Sequence, residues 1–210
     1  FTCLERSIVT AVAFGDEQLW VGIADSVFIW EPQKKELQFQ FKLEFRYQHA
    51  TRILVDSQKQ CWVGTNAGLY MKEKDKPLNC IIPSEDIYAL FEDSHANLWI
   101  SARMNGLYKR EPSGNFERFR YDPTKANNIS SNQVRGIVED NFGNLWIGTF
   151  TGLNKYNPHN GHFQVYTRDN LPGSLAHSSV FPVFKDQQGS IWLGTYYGGV
   201  HYFNPEMDLF

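Results

Sequence analysis

The sequence has few of the features that mark common chemistries. Cysteine occurs three times, as Cys3, Cys61 and Cys80, with no C-x-x-C pair, so neither a zinc ribbon nor a dithiol redox motif is encoded. Cys61 stands before a tryptophan where other copies of the same segment carry Leu or Ile, and reads as a small core hydrophobe. The six histidines form no H-x-x-x-H or H-E-x-x-H pattern, and no G-x-S-x-G elbow is present. No metal, no cofactor and no catalytic residue is therefore expected. No apolar run approaches the ~18 residues of a membrane span. The formal net charge is −3 without a block of like charges, which argues against nucleic acid or an anionic membrane as partner of this segment. The chain opens in mid-pattern, with neither Met nor a leader, and is read as an excerpt of a longer protein.

What the sequence does have is one sentence spelled five times. Its best copy runs from Asp140 to Tyr156, D-N-F-G-N-L-W-I-G-T-F-T-G-L-N-K-Y, and its anchors are Trp20, Trp62, Trp99, Trp146 and Trp192. A period near forty with strand-like units points to a propeller or similar array. In this copy Val134–Glu139, Leu145–Thr149, Leu153–Asn157 and Phe163–Arg168 read as strands, separated by turns rich in Asp, Asn and Gly. The turn Asp recurs as Asp56, Asp93, Asp140 and Asp186, with Phe14 in the first repeat. The strand Gly recurs as Gly22, Gly64, Gly148 and Gly194, with Ser101 in the third, and lets a neighbouring sheet approach closely.

Four antiparallel strands per repeat predict an all-β fold, a β-propeller of about five four-stranded blades. The expected organisation is a single propeller segment over 1–210, with blades at approximately 7–44, 45–82, 83–122, 123–168 and 169–210. Residues 1–6 match 163–168 and read as the outer strand of a preceding or closing blade. Phe1, Phe163 and Phe210 share one register. Two readings stay open: a closed five-bladed ring, or an open excerpt of a larger propeller whose free edge invites pairing or dimerisation.

The motif Asp-x-x-Gly-x-Leu/Ile-Trp-Ile/Leu-Gly-Thr with a following Gly-Leu resembles the two-component regulator propeller repeat. WD repeats would show Trp-Asp, which is absent, and sialidase Asp boxes place Gly two residues after Asp. The resemblance implies the periplasmic sensor region of a hybrid two-component histidine kinase and response regulator. It also implies an oligosaccharide as ligand and signalling through a membrane helix. Further blades, or a second propeller of the same full-length chain, are implied partners.

In such a propeller the loops between second and third strands share a face with the blade-to-blade linkers, and these segments vary most here. Flat aromatic faces ringed by polar groups suit sugars. The candidate ligand-binding residues are Arg46, Tyr47, Arg103, Asn105, Phe150, His177, Tyr196 and Tyr197, with Asn128, Asn132 and Arg135 as further hydrogen-bond suppliers. Two other readings stand beside a sensor. One is a scaffold or homodimerisation propeller with no ligand of its own. The other is a propeller lyase or glycosidase, against which the symmetric recurrence of Glu92-Asp93 and Glu139-Asp140 speaks.

Overall fold

Each apolar run of the repeat forms a strand in the computed structural model, which describes residues 8–43, 48–169 and 174–205. Among these residues there are nineteen strands and no helix, in five antiparallel sheets. The first sheet is β1 (Val9–Gly15), β2 (Gln18–Ile23), β3 (Ser26–Glu31) and β4 (Glu36–Lys42). The second is β5 (Ala50–Val55), β6 (Cys61–Thr65), β7 (Gly68–Lys72) and β8 (Asn79–Pro83). The third is β9 (Ile87–Glu92), β10 (Leu98–Ala102), β11 (Gly106–Arg110) and β12 (Phe116–Phe119). The fourth is β13 (Val134–Glu139), β14 (Leu145–Thr149), β15 (Gly152–Asn157) and β16 (His162–Tyr166). The fifth has three described strands, β17 (Val180–Lys185), β18 (Ile191–Thr195) and β19 (Gly199–Phe203). In every sheet neighbours in sequence are neighbours in space, the simple meander of a propeller blade. The chain falls into two compact units, 1–90 and 91–210, divided within β9. The segments 1–6 and 206–210, on which the terminal-register reading rests, lie outside the described residues.

Two outer strands end earlier than the sequence predicts: their expected ends, Tyr121 and Arg168, lie beyond β12 and β16. The side chain of the following linker replaces the ladder partner: Asn132 Oδ1 accepts from Tyr121 N at 2.9 Å, and Ser178 Oγ from Arg168 N at 3.0 Å.

The recurrent Asp and Trp are one hydrogen-bonded unit. Asp140 Oδ1 accepts from Phe142 N and Asn144 N, both at 2.9 Å, while Oδ2 accepts from Trp146 Nε1 at 2.9 Å. The Trp–Asp bond recurs at 2.7 Å from Trp62 to Asp56, Trp99 to Asp93 and Trp192 to Asp186. The backbone half of this arrangement follows from turn chemistry. The indole half answers the need of a buried N–H for an acceptor. Where the first repeat has Phe14, Trp20 Nε1 donates instead to the Gly15 carbonyl at 3.3 Å. The residue three after the Asp is left-handed in each of these four turns: Gly143 and Gly189 at φ 79° and 87°, Lys59 and Ala96 at 64° and 59°.

The strand glycines explain how the sheets approach. A Cβ on Gly64 would lie 2.6 Å from Ile87 Cγ2, and one on Gly148 2.8 Å from Val183 Cγ2. Ser101 solves the same contact differently, donating from Oγ to the Val134 carbonyl at 2.6 Å. Second strands β6, β10 and β14 are buried throughout. In the second unit Trp146 is fully buried, its ring 4.7 Å from that of Phe203 and 5.8 Å from that of Tyr166. Burial also pushes the Cys61 thiol up to about 12, in keeping with its reading as a core residue.

Candidate functional site

Four of the inner strands share an irregularity that shapes the loop end. The register shifts between Val9 and Ala11, Ala50 and Arg52, Val134 and Gly136, and Val180 and Val183. Each shift leaves an extra residue on the inner strand, and such bulges re-aim side chains. Thr10 and Thr51 occupy the first two and turn their hydroxyls to backbone carbonyls, Gly22 at 3.3 Å and Ile87 at 2.6 Å. Arg135 occupies the third.

Arg135 connects the candidate residues of the second unit. Its guanidinium carbon lies 5.0 Å from the Phe150 ring centroid, a cation–π contact. Its Nη1 donates to Ser179 Oγ at 3.1 Å. Ser179 N donates to His177 Nδ1 at 3.0 Å, and the Ser179 carbonyl accepts from Tyr196 N at 3.0 Å. With Nδ1 accepting, the neutral imidazole carries its proton on Nε2. The His177 ring stands 5.7 Å from that of Tyr196, which stands 4.3 Å from that of Tyr197. Phe150 is 47% exposed, Tyr196 58% and Tyr197 93%, so these rings offer faces to solvent rather than filling a core.

Phe150 also walls a cavity of about 680 Å³, with Met104, Thr151, Val165 and the linker from Tyr121 to Gln133. The linker is held by its own asparagines. Asn128 Oδ1 accepts from Asp122 N at 3.1 Å, and its Nδ2 donates to the carbonyls of Asp122 and Lys125. Asn127 Oδ1 accepts from Phe163 N at 2.7 Å. Beneath them Ser130 Oγ meets Thr149 Oγ1 and Asn154 Nδ2, each at 2.9 Å, and Ile129 is fully buried. Asn128 and Asn132 thus act as internal braces. Hydrogen bonds from the Thr124 side chain and backbone hold the Asp122 carboxyl below its ordinary value, with Lys125 adding to the effect.

Phe150, His177, Tyr196 and Tyr197 are brought together. Arg103 and Asn105 flank Met104 in the loop beside the cavity without walling it, and the Asn105 carbonyl accepts from Arg118 Nε at 3.0 Å. Arg46 and Tyr47 lie outside the described residues. Ser179, the joint between Arg135 and His177, read in sequence only as part of a blade linker. Among the described residues no group of three or more His, Cys, Asp or Glu side chains could hold a metal.

Residues 128–151 match the family described as two component regulator propeller. That segment carries the two-component regulator propeller repeat. It is similar to Histidine kinase P4 of Formosa agariphila, 36% identical over 59% of this chain and 10% of that protein. It is similar in fold to PorZ, a bacterial surface component of the type-IX secretion system of Porphyromonas gingivalis (TM-score 0.74, 16% identity, 97% of this chain and 34% of that one). A similar fold occurs in the extracellular domain assigned to a hybrid two component system of B. thetaiotaomicron (0.71, 21%, 97% and 29%). The virginiamycin B lyase of Staphylococcus aureus also shares it (0.71, 11%, 98% and 73%). The chain spans about a tenth of the length of the curated relative it matches. The lyase likeness, at this identity, is one of fold.

Proposed function

We propose that this chain is the extracytoplasmic, periplasmic ligand-sensing part of a hybrid two-component signalling protein, itself without catalysis, and that its ligand is an oligosaccharide. The observation that carries this reading is the connected row Phe150, Arg135, Ser179, His177, Tyr196 and Tyr197 beside the 680 Å³ cavity. Exposed rings can take the C–H faces of sugars, and the polar groups between them can take hydroxyls. A propeller can hold such a row rigidly, because the strands beneath it are locked by the Asp–Trp bonds. Signal transfer through a membrane helix to a kinase belongs to the longer protein in this reading.

The test is thermal melting against a panel of plant and host oligosaccharides. At a hundredfold excess over Kd a ligand stabilises the folded state by ~2.7 kcal/mol, readily seen as a higher Tm. Tyr196→Ala is expected to abolish the shift. A panel that leaves Tm unmoved counts against the ligand reading.

A second observation favours a partner surface as well. On the fifth sheet Phe184 is 60% exposed, Trp192 40% and Tyr202 46%, whereas the equivalent Trp146 is covered completely. We propose that another propeller repeat, a second propeller or a second copy of the chain covers this face. Molar mass measured across a dilution series tests the last of these.

A further inference from the structure

The lysines whose ion pairs are described each face an acid. Lys34 lies 2.7 Å from Glu31, Lys42 3.1 Å from Asp25, Lys59 2.8 Å from Asp16, and Lys125 3.9 Å from Asp122. Arg135, like Arg52 and Arg118, is in no ion pair among the described residues, and its one hydrogen bond goes to a neutral hydroxyl. Its guanidinium has five N–H donors in a planar fork. Phe150 takes one face of that plane and Ser179 takes one donor, so the remaining edge donors have no protein acceptor among the described residues.

The surroundings do not supply the missing charge. The segments that meet at this end, Phe150-Thr151, 174–179 and Tyr196-Tyr197-Gly198, contain no acidic residue, and neither do Ser130 to Gln133 just before Arg135. A half-buried cation among neutral groups is electrostatically unbalanced, and an anion placed beside it gains more than it would in bulk water. The arginine is also held in place: it sits on a bulge, and the following Gly136 packs against Val183, where an added Cβ would be 3.2 Å from the Val183 nitrogen. A fixed fork with free edge donors matches a carboxylate through two parallel hydrogen bonds.

We propose that Arg135 is an anion-recognising residue and that the ligand is an acidic oligosaccharide, one sugar of which presents a carboxylate to the guanidinium edge while a ring face rests on Tyr196 or Phe150. This rests on the ligand-sensing reading and narrows it to uronic-acid-containing saccharides.

The experiment measures binding of four probes to the 210-residue chain, by calorimetry and by Tm. The probes are trigalacturonic acid, its methyl ester, neutral galactotriose, and a sulfated disaccharide without carboxylate. The acid is expected to bind at least tenfold more tightly than the ester and the neutral trimer. Arg135→Gln is expected to remove that preference, so that acid, ester and neutral trimer bind this variant equally, whatever it does to their common affinity. Arg135→Lys keeps the charge without the fork and is expected to restore part of it. Circular dichroism of each variant confirms folding, and the Lys variant reports should the Gln variant fail to fold. Equal binding of acid and neutral trimers, or an acid preference that survives Arg135→Gln, overturns the anion inference and leaves the ligand reading standing. Binding of the sulfated probe with none of the carboxylated one overturns the carboxylate assignment. If no saccharide, charged or neutral, binds, both readings fall.

Discussion

Replacing Asp140 by Ala tests whether the repeat is held by a side-chain bond or only by its packed tryptophan. Asp140 is 3% exposed, and its carboxylate accepts from two backbone N–H groups, the Asn144 side chain and the Trp146 indole. Trp146 is completely buried and Asn144 nearly so, so water reaches none of their three donors. Phe142 is half exposed, and water can replace the carboxylate at its N–H. Three buried donors, Asn144 N, Asn144 Nδ2 and Trp146 Nε1, are thus stranded, each at ~1–3 kcal/mol, for an expected loss of at least about 3 kcal/mol. Asp140→Asn keeps the shape but must aim an NH2 group at either the turn or the indole, and is expected to lose about 2 kcal/mol. Asp186 provides the control, because its Trp192 is 40% exposed and water is available; the same change there is expected to cost markedly less. Urea unfolding followed by tryptophan fluorescence measures all three. An Asp140→Ala variant within 1 kcal/mol of the parent, or no more damaging than Asp186→Ala, would refute the argument.

Three further outcomes follow from the same geometry. Gly148→Ala drives a Cβ to 2.8 Å from Val183 Cγ2 and 3.1 Å from the Val180 carbonyl, an overpacking expected to cost about 1–3 kcal/mol in a urea melt; an unchanged midpoint would show that the sheets can separate freely. The Asp186 carboxyl lies below its ordinary 3.8, chiefly through the Trp192 bond and then the backbone donors of its turn. Its contribution is therefore fully present above pH 3.8 and lost only as pH falls through the lowered folded value. The Trp192 indole N–H resonance should titrate with a midpoint below pH 3.8, and a midpoint at or above that pH would contradict the assignment. Cys61 is buried with its thiol pushed up to about 12, whereas Cys80 is exposed. Iodoacetamide at pH 8 should label Cys80 and spare Cys61 in the native state, as read by peptide mapping.

The candidate site was visible in sequence only in part, for reasons that differ by residue. Phe150, Tyr196 and Tyr197 stood out because each occupies the short loop after a Gly-Thr strand end, a position the repeat marks in every copy. The role of Asn128 and Asn132 could not be seen. An asparagine in a linker serves a ligand or its own backbone equally well by composition, and only the placement of the Asp122 and Tyr121 N–H groups decides. Arg135 could have been singled out by aligning it with Thr10 and Thr51, since a long cation replaces a short hydroxyl at a recurring bulge.

What this sequence determined by itself is what repetition and local chemistry can carry. Period-forty tryptophans, alternating strands and turns, the turn Asp of four repeats and the small residue of each second strand are set within one blade, so the copies spell them redundantly. Tertiary structure decided which donor meets which acceptor once strands and sheets are stacked. The Asp–Trp bond needs the hairpin closed. The Arg135–Ser179 bond joins residues 44 apart. The joining of Phe150 to His177 and Tyr196 needs two neighbouring sheets packed through Gly148. Contacts of that kind depend on a bulge and on an inter-sheet distance, and neither is encoded in any short stretch of residues.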